Sequence, residues 1–296
     1  MRKKSRIFVI LAGILWGTTG IFVKLLSEYG FNSVSLTSFR GLIAFTCIAV
    51  FCLLRDRSAF RIKKADRLLY AGIGLTQFAT AGCYFVSMQM TSVSTAVILM
   101  YTAPIYVTLF SVFVWKERFS YLKGLAVAGM LIGCVFVSGV IGGGKFNALG
   151  VAVGIISGIT YGGYSILSKK ALLKGYSPLS TVLYGSLSMG VLGLPATRPD
   201  VTAAAFEKSP LTVILLLLGL GIITFFLPFF LYNKGLEKLP AGTASSLSVI
   251  EPMAAAIFSV LIFHESLDVI SVIGIGLIML SVVLLGIADK PEKSKN

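Results

Sequence analysis

"GTASSLSVIEPMAAAIFSVLIFHESL", residues 242 to 267, aligns without a gap to "STAVILMYTAPIYVTLFSVFVWKERF", residues 94 to 119. Thr243 falls on Thr95, Pro252 on Pro104 and Glu265 on Glu117, at a constant spacing of 148 residues. Each stretch is apolar over about the length of a membrane helix, interrupted by a proline and closed by a glutamate. An earlier pair repeats at a spacing of 145. "ILWGTTGIFVKLLSEYGFNS" (14–33) aligns with "ITYGGYSILSKKALLKGYSP" (159–178), placing Trp16 on Tyr161, Gly17 on Gly162, Lys24 on Lys169 and Gly30 on Gly175. The chain is built twice from one plan.

The remaining sequence extends that plan into a membrane. Of the 296 residues, 56% are hydrophobic and 13% charged, and the mean hydropathy is +0.91, far above that of an ordinary soluble domain. Ten segments have the length and apolarity of spanning helices: approximately 7–26, 34–54, 68–88, 93–115, 121–140, 148–168, 178–196, 211–232, 241–262 and 268–287. The opening "MRKKSRIFVILAGILWG" has the basic and apolar parts of a signal peptide, but no small-residue cleavage site follows, so it is read as the first span. The fold class expected is an all-α integral membrane protein with ten transmembrane helices. Residues 1–140 hold five, the Gly-rich segment 141–147 links the halves, 148–287 holds five more, and 288–296 forms a tail. Because five is odd, the second half enters the membrane from the opposite side, which makes the repeats inverted.

The net charge of +14 does not point to nucleic acid. With the N-terminus inside, 21 of the 26 basic residues fall in cytoplasmic segments, including Arg55, Arg57, Arg61, Lys63, Lys64 and Arg67 between spans 2 and 3. Outside loops receive only Lys145, Arg198 and Lys208, so the bias places both termini in the cytoplasm. The four cysteines, Cys47, Cys52, Cys83 and Cys134, lie within spans and read as small packing residues. His264 is the only histidine, which leaves little for a metal site or a Ser/His/Asp triad, and no phosphate-cradling "GxxxxGK[ST]" occurs. No cofactor and no catalytic residue is expected. A membrane-embedded enzyme would need a cluster of such groups near one membrane face.

The stretches "APIYVTLFSVFVWKERFSYLKGLAVAGMLIG" (103–133) and "EPMAAAIFSVLIFHESLDVISVIGIGLIML" (251–280) share a Pro-containing span, a terminal Glu, a short turn and a glycine-bearing final span. In these, and in the whole of 7–287, the chain resembles the EamA-type branch of the drug/metabolite transporter superfamily. That resemblance implies ten helices and a central cavity lined by the first four spans of each half, with the fifth at the periphery. It also implies transport without ATP hydrolysis, often outward, of amino acids or other small metabolites across the plasma membrane.

Two deep charges stand out. A carboxylate in mid-span, Glu251, costs a few kcal/mol on insertion scales, so it should face the bundle interior and find a partner or be protonated. Its counterpart in the repeat is Ala103, so the shared architecture does not require it. The functional reading is a proton or substrate-cation site, and the bland one a helix anchor. Arg40, two turns into span 2, corresponds to Gly185; its planar fork suits a substrate carboxylate, or it snorkels or pairs with Glu28 or Glu251. Together Arg40 and Glu251 would suit a zwitterion. Trp16, Gln77, Tyr101, Tyr161 and Tyr232 complete the expected substrate-binding set, with Tyr84, Tyr164, Tyr184 and Asn233 as further polar or aromatic groups.

Pro104 and Pro252 read as helix breaks with a gating role at similar depth on opposite sides of one cavity, each leaving a carbonyl without its helical donor, those of Met100 and Ser248. Glu117 and Glu265 read as structural turn residues, and Lys24 and Lys169 as interfacial anchors. Gly13 and Gly17, and Gly150, Gly154, Gly158 and Gly162, stand four apart, as stripes that let helices approach. The expected activity is alternating-access transport, coupled to protons or driven by the substrate gradient, with the bilayer and a small molecule as partners. A lipid or lipophilic-drug flippase is the alternative.

Overall fold

A chain this apolar has no water to satisfy its backbone, so helices, which satisfy themselves, are the expected elements. The structure, a computed structural model, describes residues 2–55, 57–91, 93–116, 120–137, 147–264 and 269–288. Its α-helices in chain order are α1 (Arg2–Gly17), α2 (Thr19–Ser27), α3 (Ser33–Arg55), α4 (Arg67–Met90), α5 (Val93–Met100), α6 (Ala103–Val114), α7 (Tyr121–Val137) and α8 (Ala148–Leu173). They continue with α9 (Pro178–Gly193), α10 (Pro199–Lys208), α11 (Pro210–Gly221), α12 (Leu227–Leu236), α13 (Ala241–Leu247), α14 (Ile250–Phe263) and α15 (Val269–Ala288). Glu117, Glu265, Lys145, most of the Gly-rich linker and the tail after Ala288 lie outside the described residues.

Six helical stretches among the described residues are long and apolar enough to cross a membrane: Lys3–Ser27, Ser35–Arg55, Thr95–Trp115, Ala148–Leu173, Pro210–Leu236 and Ala241–Phe263. The protein is therefore an all-α, multi-spanning helical bundle. Four of the six stretches are broken within. Thr18 separates α1 from α2, its hydroxyl bonded to the Leu15 carbonyl at 2.7 Å. A π-helical turn over 222–226 joins α11 to α12 just before Pro228, whose missing N–H forbids the regular ladder. Residues 101–102 part α5 from α6, and residues 248–249 part α13 from α14. At the last break the Ser248 carbonyl is not left open as expected. It accepts the Glu251 N–H at 3.0 Å, because the backbone tightens to i+3 bonding where Pro252 cannot donate.

The external loop expected around residue 200 contains a short helix, α10. Pro199 at its start supplies a preset φ, and Ala205 on its inner face packs with Leu26, Phe31 and Val213.

Helices pack in long pairs: α7 along α15, α4 along α8, α3 along α9, α1 along α12, with α6 on α13 and α1 also on α14. Small residues set these approaches. A Cβ on Gly158 of α8 would lie 2.6 Å from the Leu99 carbonyl, so α8 seats directly against the break between α5 and α6. Left-handed backbone recurs in pairs as well. Gly30 (φ 86°) and Gly175 (φ 85°) close α2 and α8, and Lys116 (φ 55°) and His264 (φ 54°) close α6 and α14. The members of these pairs stand 145 and 148 residues apart, the two spacings at which the sequence repeats.

Candidate functional site

The broken helices enclose a cavity of about 620 Å³. On α4 its wall follows one helical stripe, Gln77, Thr80, Ala81, Tyr84, Phe85 and Met88, and on α14 another, Glu251, Pro252, Ala255, Ala256 and Ser259. The α1–α2 break contributes Trp16, Gly17, Thr19, Gly20 and Val23, and the start of α3 adds Leu36, Thr37 and Arg40. Val23, Met88 and Ser259 lie near the C-terminal ends of α2, α4 and α14, which share one end of the bundle with the beginning of α3. The cavity therefore runs from mid-bundle toward that end.

Of the residues expected to bind substrate, Glu251, Arg40, Trp16, Gln77, Tyr101 and Tyr161 all line this cavity. Tyr232 does not: it lies one turn behind Phe229, its hydroxyl 2.6 Å from that of Ser165 and its ring 5.5 Å from Trp16. Phe229 takes the cavity position and packs edge-on to Trp16 at 4.9 Å. Pro252 lines the cavity. Pro104 is buried at the start of α6, outside the lining. Sequence reasoning missed Thr19, Thr37, Thr80, Met88, Phe229 and Ser259. Continuing the 3.6-residue stripe from Gln77 and Glu251 would have found Thr80, Met88 and Ser259.

Arg40 on α3 and Glu251 on α14 are close enough for their charges to interact, yet no ion pair joins them. The Arg40 guanidinium stacks 5.2 Å from the Phe225 ring, and its Nε is buried without a hydrogen-bond partner. Tyr84, Tyr101 and Tyr161 line the same cavity as Glu251 and lie within reach of its charge. Gln77 is buried with neither amide atom hydrogen-bonded, in space left by Gly185, where a Cβ would meet its Oε1 at 2.3 Å. Such an arrangement offers a cation, a carboxylate and aromatic faces around one volume, which suits binding. Among the described residues no group of His, Cys, Asp and Glu is placed to hold a metal.

The opposite end is shut by side chains. Asn233 donates to the Tyr164 hydroxyl at 2.6 Å, and the Lys169 ammonium donates to the carbonyls of Leu236 at 2.6 Å and Leu239 at 2.8 Å. Lys169 is thus a buried cap on the C-terminus of α12 rather than an interfacial anchor, because the carbonyls at a helix end lack helical donors and attract a cation. Farther out, Lys174 and the Tyr176 hydroxyl (2.7 Å) both donate to Asp66, and Tyr184 donates to the Phe60 carbonyl at 3.0 Å. These bonds, with Lys174 first, hold the Asp66 carboxyl below its ordinary range, and the same contact raises the Tyr176 hydroxyl.

The EamA-like transporter family model matches this chain twice, over residues 3–139 and 148–287. The chain belongs to the EamA-like transporter family. An uncharacterized transporter of Archaeoglobus fulgidus is 31% identical over 276 residues, covering 93% of this chain and 94% of that protein. An uncharacterized transporter of Clostridium kluyveri is 26% identical over 95% of this chain and 93% of its own length. A protein of known crystal structure, 20% identical, superposes with a TM-score of 0.82 over 97% of this chain and 98% of its own, and so shares the fold. This EamA-like protein is accordingly a multi-pass membrane transporter of the drug/metabolite superfamily, and its work is translocation rather than catalysis.

Proposed function

We propose that this transporter is a ten-span, two-repeat carrier that moves a small zwitterionic metabolite, such as an amino acid, out of the cell by alternating access. The observation that carries this reading is the mid-bundle cavity with Arg40 and Glu251 on different helices, near one another but unpaired. Arg40 takes the substrate carboxylate, its fork suited to two parallel bonds, and Glu251 takes the ammonium or exchanges a proton for it. Tyr101, Tyr161 and Trp16 supply the apolar faces.

The inverted-repeat part of the proposal is supported by the packing pairs. Exchanging the first five spans for the second five turns α1 with α12 into α8 with α4, and leaves α3 with α9 and α7 with α15 as they are. An inverted repeat about a two-fold axis in the membrane plane would give such exchanges, and with them two states of similar energy. Both termini face the cytoplasm of a plasma membrane under this reading, as the distribution of basic residues favours.

The test is flux of amino acids in proteoliposomes against an imposed pH gradient. Glu251→Gln keeps the shape and removes the titration, so its flux should lose its response to the gradient while the purified protein keeps its size-exclusion profile. A Gln variant that responds normally would exclude Glu251 as the proton site. Movement of a fluorescent lipid in place of amino acids would turn the reading to a flippase.

A further inference from the structure

The two ends of the bundle differ at positions that the repeat equates. At the shut end, Tyr164, Ser165 and Lys169 of α8 meet Asn233, Tyr232 and the carbonyls of Leu236 and Leu239. The spacing of 145 carries Tyr164, Ser165 and Lys169 onto Thr19, Gly20 and Lys24. The spacing of 148 carries Tyr232, Asn233, Leu236 and Leu239 onto Tyr84, Phe85, Met88 and Thr91. Thr19, Gly20, Tyr84, Phe85 and Met88 all line the cavity. Thr19 and Gly20 on one wall and Tyr84, Phe85 and Met88 on another thus border open volume where their duplicates are hydrogen-bonded, and the Lys24 ammonium lies 3.8 Å from the centre of the Phe263 ring.

We infer that Lys24 and Lys169 are alternating bolts, each capping the C-terminus of the spanning helix opposite it in one of the two states. When the cavity closes at the α2–α4 end, Lys24 leaves Phe263 and donates to the carbonyls of Met88 and Thr91, as Lys169 now donates to those of Leu236 and Leu239. At the other end Lys169 releases α12. The inference rests on the alternating-access reading above. Its physical logic is that an ammonium without acceptors in a dry interface is costly, whereas one bonded to helix-end carbonyls gains charge-assisted hydrogen bonds and the helix dipole. Duplicate lysines let one end gain what the other loses, which keeps the two states close in energy.

Spin labels report both ends by paired distances in nanodiscs, in a background with Cys47, Cys52, Cys83 and Cys134 replaced. Leu173→Cys with Lys238→Cys spans the shut end, and Ser27→Cys with Gln89→Cys spans the cavity end; all four positions are exposed. Lys169→Met should shift the ratio of the two states about tenfold or more toward a long Leu173–Lys238 and a short Ser27–Gln89 distance, from the loss of two bonds to a charged group. Lys24→Met should shift it the opposite way, and, being exposed, it carries the test alone if Lys169→Met does not fold. Both labelled proteins are also measured with and without a mixture of the common amino acids. Distances that exchange reciprocally with the mixture while both methionine variants keep the wild-type ratio would overturn the bolts and leave alternating access standing. Distances that change in no variant and no mixture would overturn both.

Discussion

Replacing Gly17 with alanine tests how closely the cavity wall is held. Gly17 ends α1, lines the cavity and faces α14; an added Cβ would lie 2.7 Å from the Ala254 Cβ and 2.9 Å from the Ala255 backbone nitrogen. Neither atom can rotate away, so reaching the ordinary contact range of 3.4–4 Å requires α1 and α14 to part. Overpacking of this kind costs about 1–3 kcal/mol, or roughly 2–10 °C in melting midpoint. Its repeat counterpart is the internal control. A Cβ on Gly162 would meet the Val107 Cγ2 at 3.0 Å and the Ala103 carbonyl at 3.4 Å, contacts a small shift relieves, so Gly162→Ala should stay within about 1 kcal/mol of wild type. Gly82→Ala, with nothing within 4 Å, measures the helix preference for alanine, up to about 1 kcal/mol, that all three variants share. The assay is thermal unfolding in detergent followed by loss of the monodisperse size-exclusion peak. A Gly17→Ala midpoint equal to that of Gly162→Ala would refute the packing argument.

Asp66 has its carboxyl held below the ordinary value by Lys174 and Tyr176, so its stabilising effect is full above the unfolded value near 3.8 and is lost as pH falls through the lower folded value. The melting difference between wild type and Asp66→Asn should then be constant from pH 8 to about pH 5 and vanish only in stronger acid; a difference that disappears near neutrality would contradict the assignment. Gln77→Leu removes two unpaired buried polar atoms and should raise the melting midpoint while lowering amino-acid flux, and a fall in both would show that the amide is a structural partner. Arg40→Lys keeps the charge but loses the fork, so KM for a zwitterion in proteoliposome flux should rise about tenfold. An unchanged KM would remove Arg40 from the site.

That this is a helical membrane bundle follows from composition, since a chain so apolar has only self-satisfied helices open to it, and the two repeat spacings can be counted along the chain. The stripes through Gln77 and Glu251 were legible too, because helical period is a property of the chain alone. The depth at which each aromatic sits was not. Tyr232 and Phe229 lie on the same side of one helix, and only the rotation of α12 against α1 and α8 puts Phe229 in the cavity and Tyr232 behind it. Lys24 and Lys169 occupy matching positions in matching sequence, yet one is exposed beside Phe263 and the other buried against α12. Two matching stretches of sequence carry no mark of which one packs; the contacts across the bundle set it, with the Lys169 ammonium on the carbonyls of Leu236 and Leu239 and that of Lys24 beside the Phe263 ring.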